Sequence, residues 1–599
     1  MQDSSAPNNL VALFENAVTR FRDNPLFGLI NETRTGLDWM TYGQVGRRVD
    51  HLRGGLVHQG IGPGDVVGFI GNNRPEWALT AFAAYGAGAR FVPMYEAELE
   101  STWAYIIKDS GIKLVVVSQP EIHEKISRLT VDNPVLEHIA VIEAQGPGSL
   151  AELEELGQQH PADSIQPDPE EIAALIYTSG TTGEPKGVLL SHGNFTSNAQ
   201  AGYHLYQEVL TADSRSISIL PWAHSYGQTA ELYNWLLFGG SIGFMESVAT
   251  LAEDLVLIRP TFIIAVPRVF NKIYDGLWAK MNETGGLARF LFQMGVDNAR
   301  RKRELAAQGR SDFLVNLKVR LADRIVFQKI RERFGGRVEG SLTASALMNI
   351  DIANFFWDIG IPVFDCYGLS ETSPAVAMNA FSANRPGSVG RPVEKVRVEI
   401  DRSVVEDGSD DGEIIVYGPN VMQGYHNKPE ATRAAMTADG GFRTGDRGRL
   451  DEDGFLFITG RIKEQYKLQN GKYVFPGAIE EDIRLLPHIA NAMLSGEGKT
   501  YNVCLVVPDF EVLGKYAEKQ DLPADPRQLV QNPQIQEMLS AEITAGLQDK
   551  YGGYEIPKKF IFLADDFTLE NGMLTQTMKL KRRVVMDAYS QDIEALYDN

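Results

Sequence analysis

Cysteine is nearly missing from this chain: only Cys366 and Cys504 occur in 599 residues, far apart and without a CxxC or Cys/His ligand spacing. That scarcity excludes a disulfide-stapled scaffold, argues against a structural zinc and points to a reducing compartment. Long apolar runs are lacking too. The longest small-and-apolar stretch, Ala78 to Ala89, stops at Arg90 and falls short of the roughly 20 residues a membrane helix needs. The opening MQDSSAPNNLVALFENA has no basic region followed by an apolar one, so no secretory signal is expected. The expected location is cytoplasmic, with peripheral membrane contact and oligomeric state left open. Positive charge is also in deficit. With 57 Lys+Arg against 78 Asp+Glu the net charge is −21, a field that repels phosphate backbones and disfavours nucleic-acid binding. What the chain does have is an ordinary globular balance, 44% hydrophobic and 23% charged, enough for several buried cores.

The patterning from Met40 to Val92 reads as one α/β unit. Thr41 and Gln44 form a capping box, Val45, Val49, Leu52 and Leu56 follow at helical spacing, and Gly60 with Gly62-Pro63-Gly64 ends the helix. Val66 to Ile70 then reads as a buried strand and Glu76 to Ala89 as the next helix. Further strands are expected at Lys113–Val117, Ala173–Tyr177, Ile217–Leu220, Ser241–Met245, Ile263–Val266 and Pro362–Cys366, mostly with helices between them. This alternation implies an α/β fold of mainly parallel sheets covered by helices. Gly286 to Arg333, rich in Arg, Lys, Leu and Ala, reads as a helical insertion. Short strands and Gly turns from 396 to 460 suggest a β-rich subdomain. The expected division is a body over 1–460 and a small α+β lid over 461–599, near a common domain size. No repeat at a period of about 20–50 residues and no low-complexity tract is visible.

The strongest chemical signal is YTSGTTGEPKG, Tyr177 to Gly187, where a predicted strand enters a loop of glycines and hydroxyls. Backbone N–H groups there can converge on phosphate oxygens because no Cβ intervenes. Thr178, Ser179, Thr181 and Thr182 add hydroxyl donors between Gly180 and Gly183, and Lys186 adds a point charge. No Gly-Lys-Ser/Thr closes the loop, so it is not a Walker A element.

This string resembles the phosphate loop of the adenylate-forming superfamily, which includes acyl-CoA synthetases, luciferases and the adenylation domains of peptide synthetases. Its other motifs follow in order: FDCYGLSETSP (Phe364 to Pro374), GFRTGD (Gly441 to Asp446), Gly460-Arg461, and a terminal lysine in MKLKRR. The resemblance implies ATP, Mg²⁺ and coenzyme A as cofactors and cosubstrates. It implies Tyr367 and Gly368 beside adenine, Glu371 with Thr178 at the metal, and Thr372 as donor to the α-phosphate. Asp446 is implied at the ribose hydroxyls and Arg461 at ribose or phosphate. Lys579 is implied as the cation that lets a carboxylate attack ATP, with Lys581 its nearest competitor, and Lys463 as the hinge of a mobile lid.

RPTFIIAVPRVFNKIY (Arg259 to Tyr274), RIKEQYKLQNGKYVFPGAIE (Arg461 to Glu480) and LTQTMKLKRR resemble the long-chain fatty acyl-CoA synthetases in particular. In LPWAHSYGQT, His224 falls where family members place a histidine near the substrate carboxylate; a structural histidine is the alternative. The implied reaction is ATP-dependent activation of a fatty acid to acyl-AMP and then acyl-CoA. Two alternatives stay open: loading of a separate carrier protein, and a divergent non-catalytic binder. The second draws on one departure, TASAL at Thr343 to Leu347, where Ala344 and Ser345 replace family glycines that permit close backbone approach.

Overall fold

The computed structural model describes the chain apart from residues 1–5, 130–133, 179–183, 347, 406–408, 463, 549, 576–578 and 598–599. Two large sheets form its frame. One orders Gly424–Tyr425, Lys186–Ser191, Ile172–Thr178, Arg90–Met94, Val66–Ile70, Leu114–Val117 and His138–Val141, with the first two pairings antiparallel and the rest parallel. The other is nine-stranded, with a parallel centre running from Val363–Gly368 to Pro25–Ile30 and antiparallel strands at both edges. The expected mainly parallel α/β architecture is therefore present.

Local sequence accounts for most of these elements. The helix Tyr42–His58 starts at a Thr41–Gln44 capping box and buries Val45, Val49, Leu52 and Leu56. The strand expected at Ile217–Leu220 is displaced to Arg215–Ser218. Its last residues leave the sheet because the Ile219 and Leu220 N–H groups donate to the buried Glu231 carboxylate, at 3.0 and 3.1 Å. The stretch 286–333 is helical as expected, as Gly286–Ala307, Phe313–Ala322, a π turn Asp323–Phe327 and Gln328–Arg333. Residues 396–461 form a four-stranded antiparallel sheet from Arg397–Asp401, Gly412–Tyr417, Phe442–Leu450 and Leu456–Arg461.

Beyond residue 465 the chain builds its own cores, around Ile479, Ile483, Leu513 and Leu539 on one face of a three-stranded sheet and around Val503, Phe567 and Val585 on the other. That sheet contains Ile489–Ser495, a strand with no local signature, since IANAMLS carries neither strict alternation nor β-branched enrichment.

The two large sheets share a single hydrophobic core. At its centre Trp77 makes edge contacts with Phe91, 5.0 Å away, and with Trp222, 5.5 Å away. Phe91 belongs to one sheet and Trp222 follows a strand of the other, so Trp77 bridges them. Trp77→Ala should lower unfolding stability by about 3–5 kcal/mol, read as a fall in urea midpoint; an unchanged midpoint would mean the sheets are held together elsewhere.

Candidate active site

The strand Val363–Gly368 carries the FDCYG sequence to the edge of the junction between the nine-stranded sheet and the antiparallel subdomain. There Tyr367 donates its hydroxyl to Asp446 Oδ2 at 2.6 Å, and Arg461 Nε forms an ion pair with Asp446 Oδ1 at 3.0 Å. Asp446 and Arg461 are register partners on adjacent antiparallel strands, which explains why residues fifteen apart in sequence present their charges together. Burial and the Asp446 charge push the Tyr367 phenol well above its ordinary range, so it stays protonated and donates. Asp446 holds the Arg461 pKa up in turn. With Oδ2 accepting from Tyr367 and Oδ1 paired with Arg461, the carboxylate keeps further lone-pair directions for other donors. Gly368 is required by close approach, since a Cβ there would lie 1.9 Å from the Pro374 carbonyl oxygen.

A second group forms beside the first. Thr178 and Lys186 face each other across the antiparallel pair Ile172–Thr178 and Lys186–Ser191, so the phosphate-loop sequence connects a β-hairpin. Ser179, Gly180, Thr181, Thr182 and Gly183 lie outside the described residues. Lys186 Nζ stands 4.9 Å from the Tyr425 ring centroid, and the Tyr425 hydroxyl donates to Glu371 Oε1 at 2.9 Å. Thus Thr178, Lys186 and Glu371 meet at one place, with Tyr425 as an intermediary that nothing in its sequence context marked.

Thr372 faces inward: the residue is buried, its Oγ1 accepting from Leu369 N–H at 3.0 Å and donating to the Pro374 carbonyl at 2.5 Å. It shapes the turn Ser370–Thr372 that carries Glu371.

Lys579 enters from the C-terminal segment. Thr575 and Lys579 close a small loop, Thr575 N–H donating to the Lys579 carbonyl at 2.8 Å and Lys579 N–H to Thr575 Oγ1 at 3.0 Å. The surrounding protein and the Arg461 charge lower the Lys579 pKa, opposed by Asp446, Glu371 and Glu464, while Lys579 itself is exposed at the surface. Three residues further on, Arg582 is held within the C-terminal part of the chain, clamped to both Glu480 oxygens at 2.7 Å. Lys463 lies outside the described residues.

His224 borders an apolar cavity of about 670 Å³, open mouth included, walled by Tyr206, Leu210, Tyr226, Trp235, Phe262, Ile264 and Met378 and also by Ala344, Ser345, Tyr367 and Gly368. Burial and nearby Lys579 push the His224 imidazole down to about 4. Its Nδ1 accepts from Tyr226 N–H at 3.1 Å, which leaves the ring proton on Nε2. The loop holding His224 is tied down by Glu231, which also accepts from Trp222 Nε1 at 3.0 Å and Ser218 Oγ at 3.1 Å. A second cavity of about 520 Å³ adjoins the same strand and is lined by Asp365, Asn354, Asn384 and Ser388. Burial pushes the Asp365 carboxyl up to about 8, and its Oδ1 has no hydrogen-bond partner among the described residues. Nothing in the sequence marks Asp365, Glu231 or Glu464, since lone carboxylates in FDCYG, TAELY and IKEQY carry no spacing signal.

Aromatic, carboxylate and cationic groups thus cluster beside the apolar cavity, and a family model described as AMP-binding enzyme matches residues 14–426. The chain belongs to the AMP-binding enzyme family. Residues 463–599 of this AMP-binding enzyme match the model of the family's C-terminal domain. It is 31% identical to the long-chain-fatty-acid–CoA ligase FadD15 of Mycobacterium tuberculosis, covering 96% of this chain and 95% of that protein. It is 29% identical to human long-chain-fatty-acid–CoA ligase 1, over 94% of this chain and 82% of the other. Its fold matches the adenylation domain of a carboxylate reductase from Mycobacterium chelonae, with a TM-score of 0.78 at 22% identity, covering 99% of this chain and 91% of that one.

The TASAL departure has a measurable signature in this enzyme. Ser345 sits at φ +77°, in the left-handed region that favours glycine, on the cavity wall. Ser345→Gly should raise stability by about 1 kcal/mol in urea unfolding; a neutral or destabilising result would show that the serine side chain contributes packing that outweighs the backbone strain.

Proposed function

We propose that this AMP-binding enzyme is an ATP- and Mg²⁺-dependent fatty acid:CoA ligase. The observation that carries the reading is the apolar cavity whose wall runs into Tyr367, Gly368, Ser345 and His224, so that a hydrocarbon chain and a nucleotide would meet at one carboxyl group. The near-full-length relatives named as long-chain-fatty-acid–CoA ligases support the acid and the acceptor.

In the first half-reaction a carboxylate oxygen forms a bond to the α-phosphorus of ATP and the bond to pyrophosphate breaks. Two anions approach, so cationic compensation lowers the barrier. Lys579 supplies it, beside Arg461. Neutral His224 offers Nε2–H to orient the carboxylate without adding a charge of its own. Asp446, steadied by Tyr367 and Arg461, accepts from the ribose hydroxyls through its remaining lone pairs. Asp365, protonated near neutrality, presents an O–H donor and a carbonyl acceptor, the pattern that complements an adenine edge. The residues present fit a divalent metal: Glu371 is a half-buried carboxylate and Thr178 a hydroxyl, both hard oxygen donors. When bound, Mg²⁺ neutralises charge on the phosphates. In the second half-reaction the CoA sulfur attacks the acyl carbon and AMP leaves. The separate cores beyond residue 465 support a body over 1–460 and a lid over 461–599 pivoting at Lys463, which would withdraw Lys579 once acyl-AMP has formed.

Purified protein with ATP, Mg²⁺, CoA and a panel of fatty acids should release AMP and pyrophosphate and form acyl-CoA. No product from any acid would overturn the proposal, and acyl-AMP accumulating beside free CoA would favour a carrier-protein acceptor. The adenylation step also carries a pH signature. A lowered Lys579 pKa means its charge is complete at low pH and is lost as pH rises through a value below the ordinary 10.5. Adenylation should therefore fall on that alkaline limb, and Lys579→Arg, which stays charged, should move the fall to higher pH. An unmoved limb would assign the titration to another group.

A further inference from the structure

The acyl cavity and the nucleotide cluster leave the outer face of the helical insertion without a role. The helix Phe313–Ala322 continues through the π turn Asp323–Phe327 into Gln328–Arg333. Its inner side is spent on the fold: Ala322, Phe327 and Ile330 are buried in a core with Phe292 and Phe356. Its outer side is apolar as well. Phe313, Leu314, Leu317, Leu321 and Ile325 stand 38–78% exposed. At about 100° per residue the four aliphatic positions fall on one stripe, with Lys318 and Arg320 on its two flanks. A helix apolar on both sides is ordinarily covered on both sides, and a grouped exposed patch of this kind marks an interaction surface.

The charge around the stripe says what covers it. Residues 286–333 hold twelve Lys+Arg against five Asp+Glu, a net of +7 on a chain of net −21. Arg303 and Arg331 are used inside the fold, paired with Asp358 at 3.1 Å and Asp323 at 2.7 Å. Arg301, Lys302, Arg310, Lys318, Arg320 and Arg324 are exposed. An apolar stripe bordered by long basic side chains matches a plane of anionic headgroups above hydrocarbon, because the stems lie along the apolar boundary while the charges reach the phosphates. Nucleic acid would engage the same cations and gain nothing from a central row of leucines.

We propose that the outer face of Phe313–Arg333 docks on an anionic lipid bilayer, Phe313, Leu314, Leu317 and Leu321 entering the headgroup boundary. This inference stands apart from the reaction proposed above, since docking is read without turnover. The test is co-sedimentation of the full chain with phosphatidylglycerol–phosphatidylcholine vesicles and with pure phosphatidylcholine vesicles, at low and high salt. Binding is expected to the anionic vesicles only, and to weaken with salt. Two variants separate the contributions: Leu314→Glu/Leu317→Glu/Leu321→Glu and Lys318→Glu/Arg320→Glu/Arg324→Glu. All six positions are exposed, so both variants should keep the wild-type circular dichroism and melting temperature. Each should lower vesicle affinity by roughly tenfold or more, a change of about 1.4 kcal/mol per decade. No binding by the wild-type chain, or binding that survives both variants, would overturn the proposal. So would affinity for duplex DNA that depends on the cations and ignores the leucines, which would identify a nucleic-acid surface.

Discussion

The Asp446 carboxylate is the point on which the rest of the site depends. It takes a hydrogen bond from Tyr367, at the end of a strand of the nine-stranded sheet, and forms an ion pair with Arg461, its register partner in the antiparallel subdomain. A nearly buried carboxylate needs such partners, because an unpaired charge there would be expelled or neutralised. The same pairing joins two structural layers at the place where Lys579 arrives from a third. Three parts of the chain are thus registered against each other by one charge.

Overall charge sharpens this point. A field of −21 opposes ATP, CoA and a fatty carboxylate alike, so any attraction has to be built locally. Lys186 over Tyr425, Arg461 on Asp446, and Lys579 among Asp446, Glu371 and Glu464 each sit beside a carboxylate or an aromatic ring. The compensation keeps the apo site stable, and the anionic substrates proposed for it would compete for the same cations. His224 adds no charge, because burial holds it neutral.

Much of the fold was legible because helices and buried strands announce themselves by period, as Tyr42–His58 and Val66–Ile70 do. The strand after Asp213 was misplaced by two residues because its ending is decided by Glu231, a side chain from the following π turn that captures two backbone donors; no local pattern reveals that. The candidate site was legible as motifs and not as partnerships. YGLSET pointed to Tyr367, Glu371 and Thr372 together, but only the packed turn shows Thr372 facing inward while Glu371 meets Tyr425, fifty-four residues away. Likewise MKLKRR did not separate its cations. The fold does, sending Lys579 toward Asp446 and Glu371 and clamping Arg582 on Glu480.

Lys579 is proposed to serve the first half-reaction and no other. The most direct measurement compares two assays of Lys579→Ala: pyrophosphate exchange into ATP in the presence of fatty acid, and thioester formation from supplied acyl-AMP and CoA. The expected outcome is a loss of roughly 10²–10³-fold in exchange with thioester formation near the wild-type rate. Equal losses in both assays, or none in exchange, would contradict it.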